Sequence, residues 1–552
     1  MSDVTKKVAL LSNITADFIA AKLRKKYEVY LPEGFNAWVQ EAVNPAAGLY
    51  AATPDAVILL LDGTEARSWK NEQEAWERVS LWKQALAALA TRLSSVPIFV
   101  STVDIRYNRI RSFSERDVSM ELENDWYQFV RGIAEKAPNV YAFPLADAIA
   151  DMGRGQFYSD KMWYVSSMPY SRDGLTVVVR EIDRALRAAF EARKKIIALD
   201  LDNTLWGGVV GEDGPEGIVL SDHQEGQRYY DFQRQLLEMK NRGILLAINS
   251  KNNVADAESV IQHHPAMLLR NDDFVSRKIN WENKAENIRA MERELNLTEG
   301  GFLFLDDNPA EREAVRSGCP EAGVPEFPSD TAKLLSFAET LWFDFCMPLR
   351  VLTEDVEKTR LYQAEAAREQ ELRESLNLDD YLVKLEMSAD IHRMRPDELE
   401  RVTQLCNKTN QFNLTTRRYT GAELEKMSAN PDYAVYVTYC RDKYGDSGLV
   451  SVLILSVGET EVLIDTFLMS CRVMGRRLEE VIWYELAACY ADKVKFIGEF
   501  IPTAKNAPVQ ELYDRLGFTQ VSDDNGHKLY ELTLAGYLRK KPDAYRKIRF
   551  EP

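Results

Sequence analysis

Two aspartates two residues apart at the end of an apolar run are the strongest chemical signal in this sequence. The segment Ile197-Ala-Leu-Asp200-Leu-Asp202-Asn-Thr204 reads as a buried strand ending in two carboxylates. Alternation along an extended chain puts Asp200 and Asp202 on one side, where the chain leaves its sheet. The carboxyl end of a parallel strand is the usual place of a ligand crevice. One carboxylate can attack phosphorus while its neighbour moves protons, provided a divalent cation offsets the charge of enzyme and substrate. Further groups follow in order, each at or close beyond an expected strand end: Ser250 after residues 244–249, Lys284 in Asn280-Trp-Glu-Asn-Lys284, and Asp306-Asp307-Asn308-Pro309 after residues 302–305. Alone, Asp-x-Asp-x-Thr could be a strand-end cap and turn; four elements in this order point to phosphoryl chemistry.

That order resembles the haloacid dehalogenase superfamily of phosphotransferases. The resemblance implies that Asp200 is the nucleophile forming an aspartyl-phosphate and that Asp202 is the general acid/base, its main-chain carbonyl touching Mg²⁺. It implies that Ser250 and Lys284 bind the transferring phosphoryl group, with Thr204 joining the substrate-binding set. The implied metal residues are Asp200, Asp202, Asp307 and Asp306, the last orienting Lys284 or a metal-bound water. The longer run from Leu199 to Gly214, with Asn249-Ser-Lys-Asn-Asn253 and Phe304-Leu-Asp-Asp-Asn-Pro309, resembles the FkbH-like subfamily over nearly the whole chain. What this implies is a glyceryl transferase and phosphatase of polyketide and related pathways, which loads a glyceryl unit from 1,3-bisphosphoglycerate onto an acyl carrier protein.

A second reactive group lies near the C-terminus. Met469-Ser-Cys471-Arg472-Val-Met-Gly475-Arg476-Arg477 joins an expected strand to a helix, and that helix N-terminus with Arg472, Arg476 and Arg477 reads as an anion site. With Thr503-Ala-Lys-Asn506 and Tyr513-Asp-Arg-Leu-Gly517-Phe518, the region resembles the acyl-CoA N-acetyltransferase (GNAT) fold. Gly475 is the one glycine of its loop, which departs from the glycine-rich loop of acetyl-CoA binders and leaves room for a carrier-protein phosphopantetheine arm. Cys471 is the candidate nucleophile for a glyceryl thioester, against the alternative of a small buried core residue. Cys406 is the runner-up and reads as helical core. The polar run 408–418, with Asn410 as a candidate substrate contact, could line the glyceryl site or be an exposed loop.

The N-terminal region offers Ser12 after the first strand and Asp160 three residues before Trp163. This resembles an SGNH-hydrolase fold whose late histidine is replaced by Trp163. Without an imidazole Ser12 has no base, so a docking or scaffold domain is expected. The five histidines have no metal spacing and read as surface or turn residues.

The elements that must position these groups follow from periodicity. Apolar runs at 8–11, 56–61, 96–101 and 140–144 alternate with helical patterns, as do 196–201, 244–249 and 302–305, the signature of parallel sheets flanked by helices. Residues 351–376 contain neither Gly nor Pro and read as a solvated helix. Strands at 433–439, 448–455 and 461–469, with a turn at 445–448 and a helix over 478–490, read as an antiparallel sheet followed by a helix. The expectation is α/β in three domains: an SGNH- or flavodoxin-like parallel sheet (1–190), a HAD Rossmann-like parallel sheet (191–350), then a helical linker (351–379) and a GNAT-like mixed α+β domain (380–552).

Composition bounds this reading. The 552 residues suit several domains. Acidic residues number 86 against 69 basic ones, a formal charge of −17 that disfavours nucleic acid and anionic membrane as partners. Six scattered cysteines exclude a disulfide scaffold, no run approaches the roughly 20 apolar residues of a bilayer span, and the chain reads as cytoplasmic. The rival readings are a Mg²⁺-dependent phosphatase with flanking specificity domains and a non-catalytic assembly-line scaffold. The acyl carrier is expected in trans, since Asp446-Ser447 is followed by strand and not by the helix an attachment site opens.

Overall fold

The apolar runs become the central strands of three sheets. The computed structural model describes residues 5–295, 297–351, 358–535, 537 and 543–552, and the chain forms two compact units, Met1–Val356 and Glu357–Pro552.

The first unit holds two parallel sheets. One contains β1 (Lys7–Ser12), β2 (Glu28–Tyr30), β3 (Ala56–Leu60), β4 (Ile98–Ser101) and β5 (Val140–Phe143) in the order β2-β1-β3-β4-β5. Register is continuous across its centre, with Leu10 opposite Ile58 and Ile58 opposite Phe99. Helices Glu72–Arg92, Val118–Lys136 and Arg172–Phe190 cover its faces, and their starts are fixed by the side chains of Asn71, Asp117 and Ser171, which accept from backbone amides.

The other sheet contains β6 (Ile196–Leu199), β7 (Leu245–Ser250), β8 (Phe274–Ile279) and β9 (Phe302–Leu305) in the order β8-β7-β6-β9, all parallel. Every β6 side chain is excluded from solvent, which is why it reads as an unbroken apolar run. The chain crosses from β6 to β7 on one side and returns to β9 on the other, so the carboxyl end of β6 lies where strand order reverses, the crevice position of open α/β sheets. Arg184 from the helix Arg172–Phe190 meets Asp344, which follows the second sheet, at 2.6 Å.

The second unit is built on an eight-stranded mixed sheet. Its strands are β10 (Met387–Arg393), β11 (Tyr433–Asp442), β12 (Gly445–Val457), β13 (Glu461–Met469), β14 (Lys495–Phe500), β15 (Thr519–Asp524), β16 (His527–Thr533) and β17 (Tyr545–Glu551), ordered β15-β16-β14-β13-β12-β11-β10-β17. The three strands expected to be antiparallel, β11, β12 and β13, pair so, and the sheet extends beyond them with β13 parallel to β14 and β10 parallel to β17. The first parallel pair follows from the helix Leu478–Cys489, a crossover that returns the chain in the same direction. The expected turn at 445–448 is displaced. Asp442 pairs with Gly445, so the reversal falls at Lys443 and Tyr444, and Asp446 to Gly448 belong to β12. Part of the expected helix over 351–376 is the helix Lys358–Glu374; residues 352–357 lie outside the described residues. Among the described residues no helix is long and apolar enough to cross a membrane.

Candidate active site

Asp200 is the first residue beyond β6, and its amide donates to Leu305 O of β9 at 2.9 Å, which fixes the start of the turn. The next carboxylates come from the end of β9, Asp306 and Asp307. Lys284 opens the helix Lys284–Leu295 and is 3% exposed. Its ammonium lies 3.0 Å from Asp200 Oδ1 and 2.5 Å from Asp306 Oδ2. Burial alone would lower the lysine pKa, but the charges of Asp200 and Asp306 outweigh it and hold the ammonium charged. Asp306 is pushed up to about 6, by burial first and then by Asp200, against the pull of Lys284. Burial followed by Asp200 also raises Asp307.

Four carboxylates, those of Asp200, Asp202, Asp306 and Asp307, thus sit at one sheet edge against one buried ammonium. Asp200, Asp306 and Asp307 each present an oxygen within 4.8 Å of the others. Among the described residues this is the one group of three or more His, Cys, Asp or Glu side chains close enough to share an ion. Hard oxygen donors and excess negative charge fit a hard divalent cation.

Asp202 is raised by burial and is fully engaged. Its Oδ1 accepts from Trp206 Nε1 at 2.9 Å and from the Val210 amide at 3.1 Å, and its Oδ2 accepts from Asn252 Nδ2 at 2.9 Å. Thr204 is fully buried and its hydroxyl oxygen has no hydrogen-bond partner. Ser250 ends β7, the neighbour of β6, and is 1% exposed. Asn252, Asn249 and Asn287 had no role assigned from sequence, yet all three support the site. Asn249 Nδ2 donates to Lys284 O at 2.9 Å, and Asn287 Nδ2 donates to Asn249 Oδ1 at 3.0 Å. The available signal was the crowding of amides beside Ser250 and one turn after Lys284.

Cys471, Arg472 and Asn410 belong to the second unit. Cys471 is exposed at the end of β13, in the short turn Cys471–Val473, and Arg472 Nε donates to Ser470 Oγ at 3.3 Å. Half-buried Tyr362 lies within electrostatic reach of both. The expected anion site at the following helix is corrected. Arg476 is 3% exposed and turned to the buried Asp442 at 2.9 Å, which it shares with Arg368 at 2.7 Å. Arg477 pairs with Asp379 at 2.9 Å, and the helix opens with Glu479 and Glu480. A buried carboxylate requires its counter-charges, so Arg476 is held away from that helix end.

Cys406 sits in the core of the helix Leu399–Lys408, where burial pushes its thiol up to about 12, too high for a nucleophile near neutrality. The 408–418 run is only partly a surface loop. Asn410 accepts from Arg418, but Phe412 to Thr415 are buried. The pairing of β13 with β14 ends at Ile464 and Gly498. Beyond it Phe412 O accepts from Met469 N, Leu414 N donates to Phe467 O, and Leu414 O accepts from Ile501 N. The segment therefore fills the space between the two diverging strands.

In the first sheet Ser12 is buried, and its hydroxyl donates to Leu60 O at 2.8 Å while accepting from Ile14 N at 3.2 Å. Asp160 pairs with Arg67 at 2.7 Å. The serine hydroxyl ties β1 to β3.

No family model and no curated protein matches the sequence. Among solved structures, the N-terminal part of the protein BF1531 from Bacteroides fragilis, containing a phosphatase domain complexed with Mg, is similar with a TM-score of 0.58 and 28% identity, over 63% of this chain and 95% of that one. The ribosomal-protein-S18-alanine N-acetyltransferase from Escherichia coli and the GNAT domain of PAT from S. lividans each cover 26% of this chain at 13% identity, and 94% and 89% of their own lengths, with TM-scores of 0.21 and 0.22. Scores that low support no argument about function.

Proposed function

We propose that this chain is a Mg²⁺-dependent phosphotransferase of the haloacid dehalogenase type joined to an acyl-transfer domain. In its FkbH-like form it takes a glyceryl unit from 1,3-bisphosphoglycerate, removes phosphate and passes the unit through a Cys471 thioester to a separate acyl carrier protein. The observation that carries this reading is Lys284, buried between Asp200 and Asp306 with Asp307 close by. The similarity to the BF1531 phosphatase region and its Mg supports it.

Asp200, Asp307 and the main-chain carbonyl of Asp202 would hold Mg²⁺, with Asp306 supporting them. Bound Mg²⁺ would offset the negative charge of the carboxylates and of the phosphoryl oxygens. Asp200 attacks phosphorus and the glyceryl oxygen leaves, taking a proton from Asp202. Water then cleaves the aspartyl-phosphate, giving its proton to Asp202. Lys284 faces Asp200 at 3.0 Å and meets the phosphoryl group, with Ser250 and Thr204 as further donors. In the acyl step the Cys471 thiolate adds to the acyl-phosphate carbonyl and phosphate leaves, and the carrier thiol displaces Cys471 from the thioester. The first sheet serves as a docking or scaffold region. Incubation with bisphosphoglycerate, Mg²⁺ and a holo carrier protein, followed by intact mass measurement of both proteins, tests this; no mass gain on either contradicts it.

A second reading is favoured by one observation. Arg476 faces Asp442, which leaves Cys471 without the arginine cluster expected around it and suits a plain phosphatase with flanking specificity domains. The two readings separate on Cys471→Ala, which ends acyl loading under the first and leaves turnover intact under the second.

A further inference from the structure

The helix Pro309–Gly318 begins just beyond the two carboxylates that end β9, and one of its side chains reaches back to them. Helical side chains lean toward the N-terminus of their helix. Arg312, the fourth residue of this one, does so while 6% exposed. Its Nη1 donates to Asp306 O at 2.9 Å and to Asp307 O at 2.8 Å, and its amide donates to Asn308 O at 3.1 Å. Three successive carbonyls are thus taken up by a single residue. Nη2 donates to Glu326 Oε2 at 2.8 Å, which orients the rest of the guanidinium fork.

The two carboxylates are held in different ways. Asp306 is fully buried; its Oδ1 accepts from the Asn308 amide at 2.9 Å and its Oδ2 faces Lys284. Asp307 is half-buried and presents an oxygen within 4.8 Å of those of Asp200 and Asp306. Where that oxygen sits depends on the main chain of Asp307. The carbonyls that Arg312 holds belong to the peptide planes before and after the Asp307 Cα, so both planes are clamped and the direction of its side chain is set. The same helix is tied across the crevice as well. Glu311 pairs with Lys251, the residue after Ser250, at 2.7 Å. Because β7 and β9 flank β6, this pair joins the loops on the two sides of Asp200.

Stiffness of this kind discriminates between cations. Mg²⁺ demands near-ideal octahedral geometry at about 2.0–2.1 Å, whereas Ca²⁺ accepts six to eight oxygens at about 2.3–2.6 Å in flexible arrangements. A carboxylate free to drift therefore costs the smaller ion more than the larger one. We propose that Arg312 is a positioning residue of the metal site, clamping the main chain around Asp307 so that the site takes Mg²⁺ in preference to Ca²⁺. This rests on Asp200 and Asp307 being metal residues, as proposed above.

Mn²⁺ bound to the full-length protein, followed by electron paramagnetic resonance and displaced by Mg²⁺ or by Ca²⁺, gives the affinity for each ion without turnover. In Arg312→Lys one ammonium replaces the fork. Mg²⁺ affinity should fall at least about tenfold, as it does when a partner behind a metal ligand is removed, while Ca²⁺ affinity stays within about threefold. Glu326→Gln, a change at an exposed side chain that orients the same fork, should move the ratio of the two affinities in the same direction by about two- to threefold, and it supplies the measurement if Arg312→Lys does not fold. An equal loss of both affinities, or an unchanged ratio, would overturn the inference. Asp307→Asn should weaken both ions at least about tenfold; binding like that of the parent in this variant, or a parent that binds neither ion, would contradict the metal site itself.

Discussion

The two parallel sheets of the first unit place buried carboxylates at the same kind of edge, yet among the described residues the lysine buried between two carboxylates stands at one of them. Beyond β6 and β9, Asp200 and Asp306 close on the ammonium of Lys284, which keeps charge concentrated in a buried place. Beyond β3, Asp62 is 1% exposed and its Oδ1 accepts from the Thr64 amide at 2.8 Å, while burial raises its pKa. Asp104, beyond β4, meets Arg154 at 2.7 Å, but that arginine is half exposed. Glu65 nearby is pushed up to about 7 by burial. A buried lysine between two carboxylates makes one set candidates for a nucleophile and metal ligands; in the other set burial raises Asp62 and Glu65, and Asp62 ties its loop together.

The largest expected effect breaks the active edge at its nucleophile. Asp200→Asn should lower Mg²⁺-dependent phosphate release by at least roughly a thousandfold, as loss of a nucleophile does. Ser12→Ala at the corresponding edge of the other sheet should leave it within about twofold, measured by phosphate detection on both variants. If Ser12→Ala is as damaging as Asp200→Asn, the contrast between the sheets is wrong.

Lys284→Ala comes next. Removing one partner from a buried ion cluster leaves uncompensated charge and costs about 3–5 kcal/mol. Denaturant titration should show that loss in the first unit together with loss of activity. Lys284→Arg should recover more of the stability than of the turnover, because a planar fork cannot reproduce a point contact with two carboxylates.

Cys471→Ala separates the two units. It should abolish the mass gain on the protein while phosphate release from a simple phosphoester stays within about twofold, measured on the same preparation.

The smallest effect sharpens the inert edge. The Glu65 carboxyl ionises at about 7 in the fold against 4.5 ordinarily, so the folded state binds the extra proton between those values. Its contribution is present below about pH 4.5 and is lost as pH rises through 7. Glu65→Gln should therefore be roughly 1–3 kcal/mol more stable than the parent at pH 8, with the difference vanishing near pH 4.5. Thermal melts at the two pH values measure it.

Much of this organisation was legible because the site residues sit at the ends of strands whose side chains are wholly buried. The apolar runs at β6, β7 and β9 fixed where Asp200, Ser250 and Asp306 would leave the sheet. The sheet edges were not legible. β2 has three residues, none fully buried, and β8 carries Ser276, Arg277 and Lys278, so neither shows an unbroken apolar run. β17 is similarly charged along its length. Contacts between distant positions were also hidden. Nothing local announces that Asn252 will bond Asp202, that Asp442 will draw Arg476 from its helix end, or that Phe412 to Leu414 will fill the gap between β13 and β14. These depend on which strands become neighbours, and on where a buried charge finds its partner.

The most direct test of the central claim is phosphate release from 3-phosphoglycerate and from 1,3-bisphosphoglycerate, with and without Mg²⁺, by the parent protein and by Asp200→Asn. The account predicts release of the 3-phosphate that requires Mg²⁺, stops with chelator and disappears in Asp200→Asn, whereas phosphate displaced from the acyl phosphate by Cys471 persists. Equal release of the 3-phosphate by the variant, or its release indifferent to Mg²⁺, would contradict it.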